Sequence, residues 1–511
     1  MKKLNPLAFH LEVVLERPSD SDKKADRERL LDALSKAIDS TLPIDIDLDI
    51  LRRVPPLLRD HNFAVHIVVA LFRERLEVVA AGQAACFGIA LDLGTTNLVA
   101  SLFDLKTCAK IDCMESANPQ TEVAADVLSR IHESMRGRGE KLHRLMTDGI
   151  NSLLRRLCEA NGIEKRDIFS LTVAGNTIMT HYFLDLPVEN IPMAPYIPAA
   201  HNAGFINPFQ LGITVNPKAA AYIFPNSGSY VGGDIISGIL TSGLYKDKEP
   251  SLLIDVGTNV EIVMGCSEWI IVGAGAAGPA LEGDIAGIGM RAEAGAIYEI
   301  NIDTAANGDH GKQPCVRFQT VGNKGPSGIC GSGMIELVSE LFSSGLIDQR
   351  GKFTALSIGT GLVEVMEDNR SFIIHDGAES KLVIKETEVE NFLRSKAALF
   401  ASLYVLIKSV GLGFRDLKKI YVCGSFGAHI NVDKAVSIGM LPDIDRERFI
   451  VLGNSSLSGA ESLLCDSELL DDIEKISSLI TYREMNTEGD FLREFPAAMF
   501  LPHTDPEMLK A

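Results

Sequence analysis

The chain has 511 residues and 55.3 kDa, enough for two to four domains, and 46% hydrophobic residues give material for several cores. A formal net charge of −19, from 49 basic and 68 acidic side chains, argues against a general nucleic-acid or anionic-membrane surface. No run of 18 apolar residues suits a membrane span, and no apolar stretch of signal-peptide quality opens the chain, so no membrane contact and a cytoplasmic setting are expected.

Residues 1–26 read as a polar, linker-like lead, and residues 27–86 as a small α/β middle domain. Within it Leu30, Leu31, Leu34, Ala37 and Ile38 recur at helical spacing. A second helix is expected from Asp47 to about Arg59, bent or interrupted at Pro55-Pro56. Ala64–Phe72 and Arg75–Ala80 read as strands.

From Phe87 the texture changes to strand, glycine turn, strand. Residues 251–266 repeat that plan: two apolar strands each end in Asp-x-Gly-Thr, 163 residues apart, and each continues into another strand. The expected architecture is α/β, one unit used twice, with halves at 87–250 and 251–511. Ala124–Glu133 and Leu142–Ala160 are helical, Ile168–Ala174 is a strand, and Pro187–Pro217 is loop. Further helices open at Val231 and at Gly331, and a separate long helix runs from about Thr387 to Val410. Ile420–Cys423 is a strand, and the tail beyond Asp466 carries no clear pattern.

The two turns suggest phosphate chemistry. A hairpin turn after a buried strand exposes successive backbone N–H groups that can surround phosphate oxygens. In the first loop Gly94 permits close approach, and Thr95, Thr96 and Asn97 add polar side chains. Asp92 would be repelled by bare phosphate; it suits Mg²⁺, through metal-bound water. The same logic applies to Asp255, Gly257, Thr258 and Asn259. Gly424, Ser425, Phe426 and Gly427 follow a strand and suit a flat nucleoside lying against backbone. There is no G-x-x-x-x-G-K-[ST] loop, and no Rossmann fingerprint heads a βαβ unit. ATP and Mg²⁺ are the expected ligands.

Further marks are Asn118-Pro-Gln120 with Asp126 to Ile131, Val173 to Met179, Gly233-Asp-Ile235, Gly278 to Gly283 with Gly289-Met-Arg291, and Ser327 to Gly333. With the loops, these make residues 87–465 resemble the ATP-dependent reductive activators of corrinoid proteins. That family is a branch of the acetate and sugar kinase, heat-shock chaperone and actin superfamily. The resemblance implies a duplicated actin-like, ribonuclease H-like ATPase fold with a cleft between two halves, preceded by a small α/β domain. It implies a corrinoid protein of a methyltransferase system as partner, ATP-driven conformational change that permits Co(II) to be reduced to Co(I), and a homodimer.

Two departures accompany the resemblance. No counterpart of the family's usual N-terminal [2Fe–2S] domain is expected in these 511 residues. The nine cysteines are scattered, and Ser116 stands where a plant-type cluster loop after Cys108 and Cys113 would need a third. No iron–sulfur cluster is expected, and electrons would come from a separate donor such as a ferredoxin. The other departure is Val260, where the family generally has Gly; a side chain there is expected to narrow the second loop. In the superfamily the segment of Asn176 lies beside the γ-phosphate, so Asn176 is either a water-positioning or a turn-stabilising residue. Asp234, at a helix start, is either a catalytic carboxylate or a cap. A small-molecule kinase and a non-hydrolysing, nucleotide-dependent scaffold are the alternative functions.

Overall fold

The computed structural model describes residues 5–229, 231–257, 260–275, 286–303, 315–366, 369–377, 380–424, 430–484 and 489–510. The chain divides into two compact units, Met1–Thr241 with Ser456–Ser478, and Ser242–Ser455 with Leu479–Ala511. The expected halves therefore omit one feature: residues 456–478 return to the first unit.

The first unit begins with β1 (Ala8–Val14), α1 (Asp26–Ala37), β2 (Ile44–Ile46), α2 (Leu48–Asp60), β3 (Ala64–Phe72) and β4 (Arg75–Ala81), forming a sheet of order β1-β3-β4-β2. The linker-like lead is thus corrected. Residues 8–14 are a strand, paired antiparallel with β3 from Ala8↔Ala70 to Val14↔Ala64. Its pattern is hard to read because Phe9, His10 and Leu11 are all half-buried, which blurs the alternation that marks a strand. Helix α2 runs through Pro55 and Pro56 without a break. Asp47 caps it by accepting from Ile50 N, and Ile50, Val54 and Leu58 bury one stripe. Both prolines lie off that stripe, so packing outweighs the two missing N–H donors.

Next come β5 (Phe87–Leu93), β6 (Asn97–Asp104), β7 (Ala109–Ala117), α3 (Val127–Glu133), α4 (Gly139–Asn161), β8 (Ile168–Gly175), α5 (Thr177–Phe183), β9 (Gly204–Ile206), β10 (Ala220–Ile223) and α6 (Gly233–Ser242). The sheet order is β7-β6-β5-β8-β10-β9. The pairs β7/β6 and β6/β5 are antiparallel, while β5/β8 and β8/β10 are parallel. Leu142, Met146, Ile150, Leu153, Leu154 and Leu157 form the buried stripe of α4 and belong to the same core as Ile89, Leu91 and Leu93 of β5.

The second unit holds β11 (Ser251–Val256), β12 (Val260–Gly265), β13 (Ile270–Gly275), β14 (Ala296–Asp303), β15 (Cys315–Thr320), β16 (Gly328–Ile329), α7 (Gly331–Ser343), α8 (Ala355–Gly359), β17 (Val363–Met366), β18 (Asn369–Asp376), β19 (Lys381–Lys385), α9 (Glu386–Ser409), β20 (Ile420–Cys423), α10 (Val432–Ser437) and β21 (Phe449–Gly453). After the returning helices α11 (Ser455–Cys465) and α12 (Leu469–Leu479), the chain adds β22 (Ile480–Glu484) and α13 (Gly489–Ala498). Its main sheet has the order β21-β20-β11-β12-β13-β22. Here β13/β12 and β12/β11 are antiparallel, β11/β20 and β20/β21 parallel. The five-strand plan of the first unit is therefore repeated, as the spacing of the two Asp-x-Gly-Thr turns implies. Two smaller sheets, β15-β14-β16 and β17-β18-β19, are additions. Among the described residues no helix is long and apolar enough to cross a membrane.

Candidate functional site

In the first unit the site is built where β5 and β8 end. The hairpin β5–β6 is in register up to Leu93↔Leu98, which leaves Gly94, Thr95, Thr96 and Asn97 as the turn. Asp92 is half-buried, two residues before it. Side chains alternate along a strand, so Gly88, Ala90 and Asp92 share one face. Helix α11 lies on that face. Leu464 packs at the Gly88 position, the Ala460 carbonyl accepts from Thr172 Oγ1 (2.8 Å), and Thr172 sits beside Ala90. One turn further on, Ser456 Oγ donates to Asp92 Oδ1 (2.8 Å). Four helical residues advance about 6 Å and two strand residues about 6.6 Å, so helix and strand keep step. Ser456 was not anticipated, being 364 residues from its partner.

Asn176 follows β8. Its Oδ1 accepts from Met179 N (2.9 Å), capping α5, and its Nδ2 donates to Thr95 Oγ1 (3.1 Å). It is therefore a cap that also ties the 94–97 turn to the end of β8. Asp234 sits in the first turn of α6, its Oδ1 accepting from Ile235 N (2.8 Å). Gly232 brings the two together, because a Cβ there would strike the Asn176 backbone and Asp234 Oδ1. Burial pushes the Asp234 carboxyl up to about 7, helped by the nearby charge of Asp92. Thus Asp92, Thr95, Asn176 and Asp234 are gathered in one region of the first unit. Two crowded carboxylates are hard oxygen donors that favour a bound cation, and Mg²⁺, which keeps several waters, needs no more than one or two. Among the described residues no group of three or more His, Cys, Asp or Glu forms a metal cage.

In the second unit the hairpin β11–β12 is in register up to Val256↔Val260, with Asp255 opposite Glu261. Asp255 and Gly257 are half-buried at its end. Thr258 and Asn259 lie outside the described residues, as do Ser425, Phe426 and Gly427. Gly424 is described, ends the strand paired beside β11, and has φ +92°. A Cβ on Gly424 would collide with the Val256 carbonyl and the Asp255 carboxylate, so only glycine allows this strand end to approach the second turn so closely. Val260 is 1% exposed, and its side chain belongs to the core with Ile254, Val256 and Ile262. His181 is a buried helical histidine whose Nδ1 meets the Thr177 carbonyl (2.6 Å).

Comparison with known proteins accounts for nearly the whole chain. The family model described as the C-terminal domain of RACo, the ASKHA domain, matches residues 249–511. Those of the RACo middle region and the RACo linker region match 87–247 and 2–84. The corrinoid activation enzyme RamQ of Eubacterium limosum is 29% identical, over 94% of this chain and 84% of its own length. The [Co(II) methylated amine-specific corrinoid protein] reductase of Methanosarcina barkeri is 26% identical, over 77% of this chain and 73% of its own. Among solved structures, a reductive activator for corrinoid, iron-sulfur protein is 35% identical with a TM-score of 0.90, over 99% of this chain and 81% of that one.

Proposed function

The chain belongs to the RACo family of reductive activators of corrinoid proteins, and we propose accordingly that it uses ATP to make a corrinoid protein's Co(II) reducible to Co(I). The electron is supplied by another protein, such as a ferredoxin, and the homodimer implied by the resemblance belongs to the same proposal. The observation that carries the nucleotide half is the gathering of Asp92, Thr95, Asn176 and Asp234 at the strand ends of the first unit.

Each residue has a role that follows from its surroundings. The amides of the turn 94–97 grip phosphate oxygens, and Thr95, held by Asn176, fixes the turn against β8. Asp92, aimed by Ser456, would hold Mg²⁺ by accepting from metal-bound water. Mg²⁺ held there would supply positive charge that offsets the phosphates. Asp234 then loses its proton more readily and can orient or deprotonate the attacking water, while Asn176 can place it. In the second unit Asp255 and Gly257 serve a second phosphate loop, with Gly424 to Gly427 for the nucleoside. Nucleotide binding and hydrolysis shift the chain between conformations, and the one that binds the corrinoid protein weakens an axial cobalt ligand.

The test is ATP hydrolysis by the intact chain, with and without a purified Co(II) corrinoid protein. Stimulation that requires Mg²⁺ and is lost in Asp92→Asn is the expected result. Turnover that instead requires a small metabolite and yields its phosphate ester would replace this reading with a kinase.

A further inference from the structure

Asn118, Gln120 and Arg130 have no part in the function proposed above, yet they converge on the back of the first phosphate loop. Asn118 Nδ2 donates to the Gly94 carbonyl (2.9 Å) and Asn118 N to the Thr96 carbonyl (2.8 Å). Between them Arg130 Nη2 donates to the Thr95 carbonyl (2.7 Å). Three consecutive carbonyls are thereby drawn to one side. In a trans peptide the C=O and the following N–H point in opposite directions. The amides of Thr95, Thr96 and Asn97 are consequently aimed at the other side, the arrangement an anion requires.

Arg130 does more than hold a carbonyl. It is fully buried, and every acceptor of its hydrogen bonds is neutral. Nε donates to the Ala124 carbonyl (3.0 Å), Nη1 to Gln120 Oε1 (3.0 Å) and Met179 Sδ (3.2 Å), and Nη2 also to the Ala125 carbonyl (3.4 Å). Burial holds its pKa down to about 10, still well above neutrality, so the charge persists. Among the described residues Asp126 adds a favourable charge but accepts no hydrogen bond from the guanidinium, so its burial is only partly compensated, and an anion on the far face of the loop would offset the rest of that cost. From its buried position its field acts across one peptide layer.

We propose that Arg130 is the positioning residue of the first phosphate loop and its buried counter-charge: it orients the carbonyls of residues 94–96 together with Asn118, and its charge strengthens binding of the nucleotide's phosphate chain. This rests on the reading of residues 94–97 as a phosphate loop.

The experiment is calorimetric binding of ATP, ADP and adenosine to the intact chain and three variants, with thermal melts alongside. Gln120→Glu sets a carboxylate against Arg130 Nη1, cancelling its charge while leaving the bond to Thr95. ATP affinity should fall roughly tenfold and adenosine affinity should stay within about twofold. Arg130→Lys, which keeps the charge but not the planar fork, should lose less ATP affinity than Arg130→Met. Unchanged ATP affinity in Gln120→Glu, or an equal loss for adenosine, overturns the counter-charge. Wild-type protein that binds adenosine as tightly as ATP overturns the phosphate-loop reading itself.

Discussion

Between Leu93 and its partner Leu98 the first hairpin turn spans Gly94 to Asn97; between Val256 and its partner Val260 the second spans only Gly257 to Asn259. The turns also differ in what stands behind them. The first is tied by polar side chains from distant segments: Asn118 and Arg130 on its carbonyls, Asn176 on Thr95, Ser456 on the preceding Asp92. The described part of the second leans on packing, with Val256 and Val260 in the core and Gly424 pressed against Asp255. Among the described residues, one plan used twice thus shows long-range polar ties at the first turn and close packing at the second. Polar substitutions far along the chain should damage the first turn, and volume changes the second.

The largest effect should come from Asp92→Asn, which keeps the shape and the bond to Ser456 but removes the charge proposed to hold Mg²⁺. Mg²⁺-dependent hydrolysis should fall roughly 100-fold, with nucleotide affinity in the absence of metal little changed. Equal loss of both would mean that Asp92 only holds the fold. Val260→Gly addresses the second turn. If Val260 is core, urea unfolding should show a loss of about 2–3 kcal/mol with unchanged nucleotide affinity. A gain in affinity would show that the valine had obstructed the turn after all.

Asp234→Asn probes the carboxylate pair. A carboxyl whose pKa rises on folding, here from 3.8 to about 7, weakens the metal-free protein as pH climbs through that window, because the unfolded chain releases its proton first. The variant should therefore outlast wild type in urea at pH 8 by on the order of 2 kcal/mol and match it at pH 3. Added Mg²⁺ should shrink the difference. A pH-independent difference would deny that burial raises the Asp234 pKa. The smallest effect is expected of Ser456→Ala, which removes one hydrogen bond to Asp92; Mg²⁺ affinity should weaken by about fivefold, or ~1 kcal/mol. No change would mean that α11 does not aim the carboxylate.

What could be read from the residues alone follows from distance along the chain. The Asp92 and Asp255 turns, each a strand, a glycine and a strand within some twenty residues, were legible because their chemistry is local. So was the duplicated plan, through its 163-residue period. Ser456 was not, since no local pattern links Asn454-Ser455-Ser456 to a carboxylate 364 residues away. The duplication does hold a clue: α6 follows β10 as α11 follows β21, so Ser456 occupies the place in α11 that Asp234 occupies in α6. The burial of Val260 is not legible in the sequence, because strand register, which turns its side chain into the core, is set by pairing and cannot be seen in one strand. Arg130 was visible as a motif residue, but its role depends on burial, and an arginine on a helix ordinarily reads as a solvated charge.

The central claim is tested most directly by following the visible absorption of a purified Co(II) corrinoid protein supplied with a low-potential electron donor. With this protein and Mg·ATP present, the Co(I) spectrum should grow in, and it should fail to do so when ATP is omitted or Asp92→Asn is used. Reduction at the same rate with and without ATP, or none under any condition in which the corrinoid protein is competent, would contradict the account.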